Sequence, residues 1–338
     1  MVDPQEQGEE SFSMSNDVNV QNTSRIAAAS RLSAIKKNYI NDEYTKYFVK
    51  RHTRLSPVMN RGTYIRFTGI QSVLKKFIEI SNSLPSDFSR GQIISLGSGL
   101  DTSYFLNADE LYKFKFFEVD FPAVNKIKIS TILSTPELAG KFPVPPVVDE
   151  INWTFDSPNY SIISGDLCEF DCKITNILSK FGFDTSLPTL VIAECVLVYM
   201  PAQYSSNVIS WLQDRIENLV FICYEQINPH DRFGKMMVAN LKDQGIHLKG
   251  LDEIALLQDQ ENRFSVSAGF NYSKALDLWS FYQSCISEQE KAKISKLEFL
   301  DEFEELKILL QHYCFTLAYK CSSEYSHLFQ KIEFIKSS

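Results

Sequence analysis

The sequence predicts an α/β fold: a doubly wound, mainly parallel sheet built as one domain. Three observations predict it. Strand-length apolar runs alternate with helix-forming segments from about residue 90 to 244. Two of these runs, 188–195 and 218–225, are continuous Val/Ile/Leu/Phe stretches, as expected of strands covered on both faces. A third, Ile93-Ile94-Ser95-Leu96, ends in Gly97-Ser98-Gly99, and the next apolar run delivers Asp120, 23 positions after Gly97.

In chain order, residues 1–22 are polar and acidic, with too few large apolar groups to offset their ordering entropy, and are expected to be disordered. A helical addition over 23–85 follows. It has helix formers from Ile26 to Ile35, a short helix at Asp42–Val49, and a helix reached through Arg61–Ile70 and ending near Ser81. Strands are expected at 92–96, 115–119, 160–164, 188–195, 218–225, 269–272 and 312–319. Helices are expected near 103–111, 121–133, 171–181, 203–216 and 232–244. The Pro-rich stretch 134–159 reads as a loop excursion, and 226–262 as a helical lid over the site. One long helix is expected from Ile294 to Gln311, and a C-terminal tail over 321–338. A single domain over 23–320 accounts for this order.

Composition narrows the function. The chain of 338 residues is 44% hydrophobic and carries a net charge of −8, which argues against nucleic acid as main partner. Seven scattered cysteines without a C-x-x-C, and five histidines without an H-x-x-x-H, point to reduced thiols and no metal site. No run nears the 18 or so apolar residues of a membrane span, and the N-terminus lacks a secretory pattern. A cytoplasmic protein is the expectation.

The Gly-x-Gly turn allows close backbone approach to a ligand because glycine has no Cβ. A dinucleotide site would need a third glycine at 102, where Thr102 stands. A ligand with a ribose but no phosphates does not need it, and S-adenosylmethionine is such a ligand. A plain tight turn is the alternative. Further polar residues end strands. Asp166 follows Ile162-Ile163-Ser164-Gly165 and lines the crevice or merely caps the next helix. Glu194 ends Thr189–Ala193, and a carboxylate in an apolar strand is costly unless paired or hydrogen-bonded. Tyr199 follows five residues later. Arg66, bracketed by Gly62 and Gly69, either faces the crevice and pairs with a carboxylate or covers the sheet from outside. Asp231 reads as a helix N-cap.

Several strings together resemble the leucine carboxyl methyltransferase family. They are Asn60-Arg61-Gly62 with Arg66, Leu96–Thr102, Phe117–Pro122, Ala193–Met200, Asp231–Gly234, Leu297–Glu302 and His312–Cys314, within roughly residues 25–320. The resemblance implies a Rossmann-like class I methyltransferase with a seven-stranded sheet whose last strand is antiparallel. It implies S-adenosylmethionine as donor and the C-terminal leucine carboxylate of the protein phosphatase 2A catalytic subunit as acceptor, by an enzyme expected to be monomeric. Carried across, Arg66 contacts the methionine carboxylate, Gly97 forms the turn beneath it, Asp120 holds the ribose, Asp166 and Leu167 flank the adenine, and Glu194 meets the amino end. Arg31 matches a basic cofactor contact of the N-terminal helix. Tyr199, with Arg66, is the candidate for orienting the substrate carboxylate, and no general base is expected.

Overall fold

The computed structural model describes residues 4–84 and 90–334, with side chains from Val18 onward. Its strands are β1 (Gly91–Leu96), β2 (Phe114–Asp120), β3 (Val147–Asp149), β4 (Thr154–Asp156), β5 (Tyr160–Ser164), β6 (Thr189–Glu194), β7 (Leu219–Gln226), β8 (Tyr272–Asp277) and β9 (Tyr313–Lys320). They form one sheet in the order β3-β4-β5-β2-β1-β6-β7-β9-β8. The five strands from β5 to β7 are parallel. β9 runs antiparallel to both β7 and β8. β1 is the switch point: the chain leaves it for β2 on one side and later returns to β6 on the other, which opens a crevice beyond its carboxyl end.

The helices are α1 (Pro4–Lys36), α2 (Pro57–Ser83), α3 (Ser103–Asn107), α4 (Pro122–Ser134), α5 (Pro136–Ala139), α6 (Thr175–Lys180), α7 (Ala202–Arg215), α8 (Arg232–Asp243), α9 (Leu257–Ser265), α10 (Leu278–Cys285), α11 (Glu288–Ser295), α12 (Phe303–Leu310) and α13 (Ser326–Phe329). Local chemistry sets several of their starts. Ser56 accepts from Met59 N and Pro57 stands at the first position of α2. Asp231 caps α8 through Gly234 N at 2.7 Å, and Asp277 caps α10 through Ser280 N at 2.8 Å.

Two apolar clusters cover the two sheet faces. One joins α2 to residues such as Ile93, Phe116 and Phe315; the other joins α7 to Ile94, Phe117 and Phe221. Alternate β1 residues therefore face opposite clusters, and every residue of β1 is buried. Glu118 on β2 and Lys128 on α4 pair with no solvent exposure at either side chain. No helix among the described residues is long and apolar enough to cross a membrane.

The structure corrects four expectations. The sheet has nine strands, not seven, because the 134–159 excursion adds β3 and β4 at one edge. Each is three residues long, too short for an alternation signal. The long helix expected over Ile294–Gln311 is broken between α11 and α12. There the Glu298 carboxylate accepts from Asn60 Nδ2 of α2 at 2.8 Å, a tertiary contact that outweighs helix propensity. Within the 1–22 stretch expected to be disordered, α1 runs from Pro4; Asn19 Nδ2 donates to Gly245 O at 3.3 Å and Val20 packs against Val198 and Ile246. The 269–272 strand begins later, at Tyr272, after Gly269 turns the chain at φ +74°. Of the 321–338 tail, Phe329 and Ile332 are fully buried, and Tyr319 donates to Glu333 Oε1 at 2.7 Å. Residues 1–3 and 335–338 lie outside the described residues.

Candidate functional site

The site begins where β1 stops. Gly97 and Gly99 both adopt φ +55°, a left-handed conformation that favours glycine. At Gly97 a Cβ would also come within 2.6 Å of Val196 Cγ2. The turn leaves Gly99 N aimed at Asp120, whose Oδ2 accepts from it at 2.6 Å while Oδ1 accepts from Phe121 N at 2.7 Å. Burial raises the Asp120 pKa, and these two amides oppose the rise. A carboxylate has about four acceptor positions, so Asp120 keeps capacity for a ligand hydroxyl.

A second pair faces this turn from the helical side. Met59, Gly62, Thr63 and Arg66 recur at one-face spacing on α2, and all four line the same cavity. Arg66 Nε donates to Glu194 Oε2 at 2.7 Å, with side-chain exposures of 25% and 14%. The guanidinium lies over the Tyr224 ring, 4.6 Å from its centre. Burial works against the arginine charge, but Glu194 outweighs it and the Arg66 pKa is raised. Of the two readings of Arg66, the structure therefore supports the inward-facing one.

Arg31 of α1 makes a parallel pair with Asp101 at 2.5 Å, donates to Thr102 Oγ1 at 3.2 Å and lies over the Phe67 ring. Burial disfavours the Asp101 carboxylate, but Arg31 beside it holds its pKa well below the usual range. Asp166 does what the bland reading expects: its Oδ1 caps a 3₁₀ turn at Leu167–Glu169 through Cys168 N at 2.9 Å. It also lines the cavity, with Leu167 buried beside it. Burial pushes the Tyr199 hydroxyl well above the usual phenol value, so it is a proton donor at neutral pH.

All eight residues singled out from the sequence, Arg31, Arg66, Gly97, Asp120, Asp166, Leu167, Glu194 and Tyr199, line one cavity of 530 Å³. That is the size of a small-molecule site. Sequence reasoning missed two features of its wall and one residue behind it. Tyr224 and Tyr313 stack 5.3 Å apart beneath Arg66. Ser98 Oγ is buried on the wall with no hydrogen-bond partner among the described residues. Glu225 is fully buried and holds the loop before Tyr199. Glu225 was findable by the argument that flagged Glu194, since it too is a carboxylate within an apolar strand. Asp231 serves as an N-cap and also meets His312 Nε2 at 2.9 Å, away from the cavity wall.

Residues 19–213 match the leucine carboxyl methyltransferase family. A leucine carboxyl methyltransferase 1 homolog of Arabidopsis thaliana is 36% identical over 90% of both chains. Leucine carboxyl methyltransferase 1 of Bos taurus is 35% identical over 91% of this chain and 92% of that one. A tRNA wybutosine-synthesizing protein 4 of Rattus norvegicus is 33% identical over 87% of this chain, but over only 43% of its own length. The chain is a methyltransferase of class I fold and belongs to the leucine carboxyl methyltransferase family.

Proposed function

We propose that this protein uses S-adenosylmethionine to methyl-esterify the C-terminal leucine carboxylate of the protein phosphatase 2A catalytic subunit, in the cytoplasm and as a monomer. The observation that carries the reading is a single cavity holding both a ribose-type carboxylate, Asp120 beside Gly97 and Gly99, and a half-buried arginine, Arg66, with Tyr199 on the same wall.

The residues present fit the donor. The unpartnered Ser98 Oγ, the spare acceptor capacity of Asp120 and the Cβ-free approach at Gly97 suit a polar nucleoside lying across the strand ends. Asp120 would take the ribose, Leu167 and Asp166 the adenine side, Arg66 and Arg31 the carboxylate end, and Glu194 the amino end. When bound, S-adenosylmethionine supplies an activated methyl group on a sulfonium.

The chain's own residues then have positioning to do rather than proton transfer. A C-terminal carboxylate, with pKa about 3.5, is already ionised and nucleophilic at neutral pH. Arg66 commits Nε to Glu194, and its guanidinium has further donors to orient that carboxylate. The protonated Tyr199 hydroxyl can donate to the same group. Leu167, Val196 and Phe67 on the wall exclude water, which favours a reaction in which opposite charges cancel.

The test is a filter assay with tritiated donor and two acceptors: the phosphatase catalytic subunit, and the same subunit lacking its last leucine. The expected outcome is label in the intact subunit alone, lost in Arg66→Ala. Equal label in both subunits, or tight donor binding with label in neither, overturns the reading. The first would point to another acceptor on the protein, and the second to a binding regulator or a small-molecule methyltransferase.

A further inference from the structure

One buried carboxylate outside the residues given roles above lies against the turn that ends at Tyr199. Glu225, next to last in β7, has no solvent exposure. Its Oε1 accepts from Val196 N at 3.2 Å and Leu197 N at 3.0 Å, and its Oε2 from Val198 N at 3.2 Å. These are three consecutive amides. They sit after β6 and before α7, where neither the sheet ladder nor a helix uses them, and a buried amide without a partner is costly. The turn opens with Cys195 at φ +54°, a conformation that a non-glycine residue holds only when its surroundings enforce it. It closes with Tyr199 N donating to Val196 O at 3.1 Å.

The surroundings also explain why the group is a carboxylate. Three donors converge on it, and Arg263 of α9, itself buried, supplies the opposing charge. Burial pushes the Glu225 pKa up to about 7, while Arg263 and the three amides pull the other way. The lid presses on the same turn. At Gly250 a Cβ would come within 3.1 Å of Leu197 O, Met200 O and Val198 Cα.

We propose that Glu225 is a positioning residue: by gathering the amides of Val196, Leu197 and Val198 it fixes the turn that aims the Tyr199 hydroxyl into the cavity. This rests on the reading above that Tyr199 orients the substrate carboxylate. A glutamine would keep the volume but lose the function, because its NH₂ would face an N–H and one oxygen cannot take all three amides.

The test combines kinetics of Glu225→Gln, Glu225→Asp, Tyr199→Phe and the Glu225→Gln/Tyr199→Phe double variant with amide exchange of residues 195–200. Glu225→Gln is expected to lower kcat/KM for the phosphatase subunit about a hundredfold through misplacement, with S-adenosylmethionine affinity by calorimetry unchanged. Glu225→Asp should recover part of the loss. The double variant should be little worse than either single one, since both changes act through one hydroxyl. The three amides should exchange about tenfold faster in Glu225→Gln than in wild type. Multiplicative losses in the double variant, or unchanged exchange, overturn the proposal.

If Glu225→Gln does not fold, wild-type exchange decides. Protection of these three amides equal to that of β6 supports the clamp, and free exchange sinks it. If wild type transfers no methyl group to the phosphatase, the functional reading has failed, while the exchange result still tests the clamp.

Discussion

The floor of the cavity comes from strand ends, and its roof from helices far apart in the chain. On the floor, Gly97, Asp120 and Glu194 terminate or follow β1, β2 and β6, three neighbours whose ladders are in parallel register. The roof is the stretch of α1 from Val20 to Arg31, with Leu241 and Ile246 of the 226–262 segment. A small apolar cluster holds its outer part, Val198, Ile246, Leu248 and Leu251 with Val20, Val238 and Leu241 packed on it. The floor belongs instead to the two large clusters that sandwich the sheet. A region with few buried contacts opens at lower free energy than the global fold. The difference predicts a division of labour: the floor should fix geometry, and the outer roof should be the part that yields when a ligand comes or goes.

Floor substitutions should do the most damage. Gly97→Val adds a β-branched side chain where φ is +55° and where even a Cβ meets Val196 Cγ2 at 2.6 Å. Val196 is itself stiff at χ1, so relief requires moving the turn that carries Tyr199. Calorimetry should find S-adenosylmethionine affinity reduced at least about a hundredfold, from strain of about 1–2 kcal/mol plus the steric clash. Affinity within a few-fold of wild type would mean that this turn is not part of the floor. Asp120→Asn comes next. It keeps the shape but offers one acceptor oxygen to two amides, so the same measurement should show a loss of about 10- to 100-fold, as for a charged hydrogen bond of 1.5–3 kcal/mol.

Floor and roof also differ in how far the sequence disclosed them. Ile93–Leu96, Asp120 and Glu194 were legible because each signal is local: an apolar run, a glycine turn, a carboxylate at a strand end. The Arg66–Glu194 pair joins residues 128 positions apart, yet each was suspect alone, one as an arginine between glycines and one as a buried acid. The roof gives no such signal. Val20 sits in a polar stretch, and only its meeting with Val198 and Ile246 makes it structural. The same holds for the break after α11, where Asn60 and Glu298 meet across 238 positions. Glu225 went unread for the opposite reason: six of the other seven residues in Leu219–Gln226 look like ordinary core strand, and the acid hides among them.

The link between roof and floor has its own signature in acid. Arg31 of α1 ties down Asp101 of the glycine turn and depresses its carboxyl pKa, although burial works the other way. A carboxylate with a depressed folded pKa adds stability that is complete above its unfolded value, about 3.9, and is lost as pH falls through and below it. Melting temperature should therefore drop more steeply below about pH 4 in wild type than in Arg31→Met, which lacks the pair but starts lower at pH 7 by about 2 kcal/mol. Parallel curves for the two proteins would show that the pair does not hold α1 to the turn.

The smallest effect expected is the sharpest test of the division. Val20→Ala removes two methyl groups from a half-exposed residue of the small cluster. At partial burial the cost is about 1 kcal/mol, and it falls on local opening of the roof rather than on global unfolding. Melting temperature should move by no more than about 3 °C. The release rate of S-adenosylmethionine, followed by stopped-flow displacement, should rise about two- to fivefold, because the contrast predicts that the roof opens before release and about 1 kcal/mol corresponds to roughly that factor. Gly97→Val, by contrast, should change affinity with no such selective effect on release. If Val20→Ala lowers the melting temperature sharply and leaves release untouched, α1 is part of the rigid body of the fold, and the contrast between floor and roof disappears.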